Sequence, residues 1–192
     1  ILAQMGYNVS AVDYTASMLE EAKRNAGILA SRIHFRQMNA EDLSFASGSF
    51  DVVVTRNVTW NLHHPANAYA HWTRVLTPGG LLLNFDANWY RYLWDEDARQ
   101  GHAQDRENLA FSDVRDENAG TDVDAMEAIA RQTPLSHQRR PAWDLNILQQ
   151  LGIQASADEE IWQQVWTKEE RINNASTPMF LIEGRKPMLR EM

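Results

Sequence analysis

Residues 50–60 read FDVVVTRNVTW and residues 74–85 read RVLTPGGLLLNF. Each pairs a short apolar run with a polar exit, and the helical stretch Pro65 to Leu76 lies between them, with Ala68, Trp72, Val75 and Leu76 on one face. Two apolar runs joined by a connection of helical length form a right-handed β-α-β unit in a parallel sheet. Phe50 to Thr55, rich in β-branched residues, is predicted to be a strand buried on both faces. Thr77-Pro78-Gly79-Gly80 is predicted to be a turn before the strand Leu81 to Phe85.

The same rhythm holds upstream. Ile1 to Met5 reads as a helix tail stopped by Gly6, and Tyr7 to Asp13 as a β-prone run ending at an acid. Ser17 and Glu20 have capping-box spacing ahead of an apolar stripe through Met18, Leu19, Ala22 and Ala26, with a stop at Gly27. Ile33 to Met38 alternates like a strand and empties into Asn39-Ala40-Glu41-Asp42. Downstream the texture changes. Residues 91–140 hold 11 acids and 7 bases and no strand-like run. Asp122 to Gln132 is predicted helical, with Val123, Met126, Ile129 and Ala130 inward. Trp143 to Leu151 reads as a helix stopped at Gly152, 153–171 as a polar segment, and Thr177 to Glu183 as a closing strand. One domain over 1–192 with a helical insertion or lid at about 90–141 is the expected organisation.

Composition narrows the functional classes. The chain has 192 residues, 18 Lys and Arg against 26 Asp and Glu, and a formal charge of −8. That balance disfavours nucleic acid or an anionic membrane as a main partner, since both call for basic patches. With no Cys, disulfides, thiolate catalysis and Cys-bound metals are excluded, and a cytoplasmic setting is expected. No apolar run nears the ~20 residues of a membrane span. No G-x-S-x-G is present, so a hydrolase nucleophile elbow has no support. His63 and His64 are adjacent and point apart, and His71 lies two turns beyond His64, so no metal site is expected.

Four constellations stand at strand ends. Asp13 could accept two hydrogen bonds from a ribose diol, or serve as a turn residue or helix cap. Asn39 and Ala40 could read an adenine edge, or form an ordinary polar loop. Arg56 and Asn57 close the run 50–57 at the edge where α/β sheets bind ligands. Trp60 and Trp89 each follow a strand end, a placement that suits a pocket wall as well as a core.

Read in order, the pieces resemble the class I S-adenosylmethionine-dependent methyltransferases. The matching residues are VSAVD at 9–13, MLEEA at 18–22, NAEDLSF at 39–45, SFDVV at 49–53 and, most specifically, RVLTPGG at 74–80 before an apolar strand. The resemblance covers about 1–88, with a looser match at 177–186, and is nearest to the branch that methylates small molecules. It implies a Rossmann-like, doubly wound, mainly parallel sheet with an antiparallel C-terminal strand and a helical insertion after the strand ending near Phe85. It implies S-adenosylmethionine as cofactor and a small-molecule acceptor, and sets no oligomeric state. Asp13 would hold the cofactor ribose, Tyr14 would lie along the adenine, Asn39 and Ala40 would read its edge, and Arg56 and Asn57 would sit near the methionine part. The family usually has Asp where Asn39 stands, so an uncharged, weaker contact is implied. Trp60, His63, Trp89, Tyr90 and Trp94 would line the acceptor side.

The family also begins with a strand and a Gly-rich turn, and neither is in this sequence. The expectation is a chain truncated relative to the family, lacking its first, central strand and with its activity impaired. The strands ending at Asp13 and Thr55 would then have no ladder between them. Methyl transfer from a sulfonium mainly requires alignment of nucleophile, methyl and sulfur, so no catalytic dyad stands out; His63, His64 and Tyr90 are base candidates by position only. Two other readings remain open: a nicotinamide-dependent oxidoreductase, which would need a G-x-G-x-x-G that is equally absent, and a non-catalytic remnant or partner-binding domain.

Overall fold

The computed structural model describes residues 1–188 and divides into two compact units, 1–46 and 47–192. The first unit is a small β-α-β element. Strand β1 (Val9–Asp13) pairs in parallel with β2 (Ile33–Gln37), Val9 opposite Ile33 and Asp13 opposite Gln37. The connection is α1 (Ala16–Ala26) and a 3-10 segment, Gly27–Arg32. Leu19 is its buried anchor, and Gly27 ends it at φ 55°, a conformation that favours glycine. The expected Ser17/Glu20 capping box does not form. Thr15 is the N-cap, and Asp13 closes the turn ahead of it instead.

The second unit carries a four-stranded sheet in the order β3-β4-β6-β5. Strand β3 (Phe50–Arg56) and β4 (Leu76–Asp86) run parallel across α2 (Pro65–Val75), as the opening stretch predicts. β6 (Phe180–Arg185) is antiparallel to β4, and β5 (Gln154–Asp158) is antiparallel to β6. Within this sheet one pairing is parallel and two are antiparallel, so it is mixed, and it carries the antiparallel C-terminal strand that the resemblance implies. No ladder joins β1 to β3, so each is an edge strand of its own sheet among the described residues.

Two local readings are corrected. β3 is not buried on both faces: Val52 and Val54 are 45% and 42% exposed, because β3 lies at the edge of its sheet. The segment 76–80 is not a free turn but the irregular start of β4, where the register jumps between Phe50–Leu76 and Val52–Leu81. The two glycines fit that irregularity. Gly79 has φ 78°, and a Cβ at Gly80 would lie 2.8 Å from the Thr77 carbonyl and 3.1 Å from that of Asp51. Only a residue without a side chain lets the backbones approach so closely.

The core of this unit is built on β4 and β6 by α2 and α5 (Ala142–Gln150), through Tyr69, Trp72, Val75, Leu82, Leu148 and Ile182. The segment between β4 and α5 is helical as expected. It contains α3 (Glu96–Ala110), capped by the Asp95 carboxylate, and α4 (Val123–Ala130), capped by that of Asp122. Beyond β5 come the short helices α6 (Trp162–Val165) and α7 (Lys168–Asn173). The latter starts with a complete capping box between Thr167 and Glu170. Among the described residues no helix is long and apolar enough to cross a membrane.

Candidate cofactor edge and acceptor cavity

In the first unit, Asp13, Tyr14, Asn39 and Ala40 come together at the C-terminal ends of two adjacent parallel strands. The Met38 N–H donates to the Asp13 carbonyl at 2.9 Å, and the Gln37 amide donates to the Tyr14 carbonyl at 3.0 Å, tying the two exits together. Asp13 Oδ1 accepts from the Thr15 N–H at 2.8 Å and the Thr15 hydroxyl at 3.0 Å. Its Oδ2 has no hydrogen bond among the described residues. Asp13 is therefore both of the things its position allowed, a turn residue through one oxygen and an available acceptor through the other. Asn39 Oδ1 accepts from the Glu41 N–H at 2.9 Å. An amide oxygen has two lone pairs, so one acceptor position remains. Tyr14 is 71% exposed and makes no ring contact among the described residues. A carboxylate oxygen, an amide oxygen and an exposed aromatic ring at one strand edge fit the ribose and adenine of a nucleoside cofactor.

In the second unit, the site is organised by a buried polar network. Arg140, Asp86 and Asp144 have side chains 1%, 0% and 0% exposed. Arg140 Nε donates to both oxygens of Asp144, at 3.1 and 2.9 Å, and Nη2 donates to Oδ1 at 2.7 Å. Arg140 Nη1 lies 2.9 Å from Asp86 Oδ2, but off the angle of a hydrogen bond, so that contact is Coulombic. Asp144 also accepts from the Tyr69 hydroxyl at 2.7 Å, and Tyr69 in turn accepts from the Asn84 amide at 2.7 Å. Burial works against the Arg140 charge, yet two carboxylates outweigh it and raise its pKa. Each carboxylate has only one cation and faces a like charge, so burial pushes Asp86 up despite Arg140. Burial, reinforced by Asp144, also raises the Tyr69 hydroxyl and keeps it a donor.

Asp86 connects this network to two tryptophans. Its Oδ2 accepts from the Trp60 backbone N–H at 3.0 Å, and its Oδ1 from the Trp89 indole N–H at 3.1 Å and the Ala87 N–H at 2.9 Å. The Trp60 indole N–H donates to the carbonyl of Asn57, which has the positive φ of 56° at the exit of β3. Tyr90, with φ 55°, sets its ring 5.2 Å from Trp60. Asn57, Trp60, Trp89 and Tyr90 therefore line one cavity of about 530 Å³, with Tyr92, His102, Arg106, Val123, Met126 and Thr177 among its other walls. That volume suits a small organic molecule.

Three expected site residues lie elsewhere. His63 is exposed at the entry to α2. Trp94 packs against His137 with ring centroids 3.8 Å apart and planes tilted by 33°, and is 44% exposed. Arg56 pairs with Glu170, the residue that completes the α7 capping box. Among the described residues no group of three or more His, Asp or Glu side chains converges as metal ligands do. Sequence reasoning missed Tyr92 and His102, which lie in the charged insertion. Their rings stack at 3.9 Å with a 7° interplanar angle, and the Tyr92 hydroxyl donates to Glu127 at 3.1 Å. The signal was the spacing of His102, Asp105, Arg106 and Leu109, which places them on one helix face.

The strand-end carboxylate and its neighbouring loop in the first unit fit a nucleoside ligand, the second unit holds an aromatic cavity of its own, and the fold is that of Rossmann-like proteins. Residues 1–84 match the family model described as a methyltransferase domain. The ubiquinone biosynthesis O-methyltransferase of a Caulobacter species is 31% identical over 83 residues, 43% of this chain and 33% of that protein. The ubiquinone/menaquinone biosynthesis C-methyltransferase of Haemophilus ducreyi is 40% identical over 86 residues, 43% of this chain and 32% of that protein. The geranyl diphosphate C-methyltransferase of Streptomyces coelicolor, solved with Mg2+, geranyl diphosphate and S-adenosyl-L-homocysteine, superposes with a TM-score of 0.55. It is 12% identical, with 96% of this chain and 64% of that one covered, a likeness of fold alone. The chain spans about a third of the length of the curated relatives it matches. Over residues 1–84 the chain is therefore similar to methyltransferase domains, and the matches favour neither the nicotinamide oxidoreductase nor the remnant reading.

Proposed function

We propose that this protein transfers a methyl group from S-adenosylmethionine to a small, largely flat acceptor. The observation that carries the reading is Asp13. It ends β1 beside the Asn39 loop within the matched span, and one of its carboxylate oxygens has no hydrogen bond among the described residues. Asp13 would accept from the ribose hydroxyls, Asn39 and Ala40 would read the adenine edge, and Tyr14 would cover its face. The bound cofactor supplies an activated methyl on a sulfonium. The chain's own contribution is alignment and exclusion of water by the aromatic walls Trp60, Trp89 and Tyr90, which also offer cation–π stabilisation to a positive centre. The relatives include both an O- and a C-methyltransferase, so the acceptor atom is a separate question.

Calorimetry with S-adenosylhomocysteine tests the reading. The wild type should bind, and Asp13→Ala should weaken binding by about 1.5–3 kcal/mol, the worth of a hydrogen bond to a charged group and roughly ten- to a hundredfold in affinity. Unchanged affinity in Asp13→Ala, or no heat from the wild type up to millimolar ligand, would remove the support.

A further inference from the structure

Three buried side-chain polar atoms have no hydrogen-bond partner among the described residues: Thr59 Oγ1, Arg140 Nη1 and Arg106 Nε. Arg140 Nη1 has the Asp86 carboxylate 2.9 Å away. Of the three residues, Arg106 is the one that lines the cavity of about 530 Å³. Its other two nitrogens are spent on the protein. Nη1 pairs with Asp116 at 3.1 Å, and Nη2 donates to the Asn173 carbonyl. These bonds hold the guanidinium by its far end and leave the Nε–H edge without an acceptor. A buried donor left unmet is costly, and folded proteins keep few of them. The side chain as a whole is 28% exposed, so a small turn of the guanidinium brings Nε–H to an oxygen placed in the cavity. The His102 nitrogens, one helical turn away, also have no hydrogen bond among the described residues, but that ring is only half-buried and water can serve it.

The walls say what kind of oxygen fits. The Trp60 and Tyr90 rings lie 5.2 Å apart and those of Tyr90 and Tyr92 5.9 Å apart, with Trp89 lining the same space, so the body of the ligand is flat and aromatic. The charged side chains of the walls are one guanidinium and two carboxylates, those of Arg106, Asp116 and Glu117. Asp116 already balances the Arg106 charge, and Glu117 accepts from the neutral Asn174 amide at 3.2 Å. An anionic ligand would add a third negative charge to a site with one cation. A neutral carbonyl oxygen avoids that repulsion. It is an acceptor only, and its lone pairs lie in the plane of a conjugated ring, where a donor at the cavity wall meets them.

We propose that this cavity binds a planar aromatic ketone or aldehyde, whose carbonyl oxygen accepts from Arg106 Nε. The site lies within residues 47–192 and includes no transfer step. It goes beyond the methyl-transfer reading, which rests on the edge at Asp13.

Equilibrium dialysis of the full chain against acetylnaphthalene, isopropenylnaphthalene and naphthoate tests the assignment. In the isopropenyl compound a methylene carbon replaces the carbonyl oxygen, so the ratio of the first two affinities isolates the hydrogen bond. Arg106→Met puts a methyl group where Nε stands and should lower that ratio about tenfold or more, the scale of a hydrogen bond to a charged group. Arg106→Gln puts an amide N–H at the same place and should restore part of it. A loss of packing alone would weaken both ligands alike and leave the ratio unchanged. Arg106 also ties Asp116 to the Asn173 carbonyl, so a second measurement uses the wild type only: the infrared carbonyl band of bound acetylnaphthalene should lie below its position in hexane. A wild type that does not bind the ketone, a bound band at the hexane position, tighter binding of naphthoate than of the ketone, or a ratio unchanged in Arg106→Met overturns the proposal.

Discussion

Replacing Arg140 by methionine should destabilise the protein more than any surface change, and by an amount that depends on pH. Methionine keeps much of the side-chain volume and removes the only cation between two buried carboxylates. Breaking a buried pair by removing one partner costs about 3–5 kcal/mol, because the remaining charge is left uncompensated. Two carboxylates lose Arg140 here, but the figure should not be doubled. Asp86 keeps its three N–H donors from Trp60, Ala87 and Trp89, and Asp144 keeps the Tyr69 hydroxyl. For a chain of this size each kcal/mol is worth ~2–4 °C in midpoint, so a fall of roughly 6–20 °C is expected by circular dichroism.

The pH dependence supplies the stricter check. Burial already raises Asp86 in the folded protein. A carboxyl raised on folding contributes stability below its unfolded pKa, and that contribution is lost as pH rises through the folded value. Without Arg140 the shift grows, so the deficit of the variant should be greatest above the raised Asp86 pKa and shrink as the solution is acidified through it. A loss below about 1 kcal/mol, or a deficit independent of pH, would show that Asp86 and Asp144 are not held as charges by Arg140.

Tyr69→Phe should cost about 1–3 kcal/mol in urea titrations, since it leaves Asp144 without its neutral donor and the Asn84 amide without its acceptor; an unchanged midpoint would contradict the network. Gly80→Ala should cost ~1–3 kcal/mol, the scale of overpacking, because its methyl would lie 2.8 Å from the Thr77 carbonyl; a variant as stable as the wild type would show that the β3–β4 approach can relax.

Much of the fold is legible in the sequence because its elements are locally consistent. The runs 9–13, 33–37 and 50–56 are rich in β-branched or aromatic residues, and Gly27 and Gly152 stop helices where φ turns positive. What stays hidden is set by tertiary context. Gln-Ala-Ser-Ala-Asp at 154–158 has no strand propensity and becomes β5 because β6 offers an edge to pair with. The exposure of Val52 and Val54 follows from strand order, which a single run cannot reveal. The candidate cofactor edge is readable because a strand-end acid has few roles. The Arg140–Asp144 pair is not, since an i,i+4 pair in sequence reads as a solvated helix face, and only the fold turns it inward beneath Asp86.

This division also separates what the relatives can say from what they cannot. The matched span ends at residue 84, one residue before the end of the LLLNF run of β4. Asp13, Tyr14, Asn39 and Ala40 fall inside it, and so do Asn57 and Trp60. Trp89, Tyr90, Tyr92, His102 and Arg106 fall outside, and they supply most of the cavity's aromatic rings. Asp86, just past the boundary, accepts hydrogen bonds from both sides of it, from the Trp60 backbone and from the Trp89 indole. The family likeness therefore bears on the edge at Asp13 and Asn39, whereas most of the cavity wall comes from a segment outside the family-model match. A variant that exchanged the insertion and left Asp86 and Arg140 in place would alter which acceptor binds while keeping the tryptophan walls on their anchor.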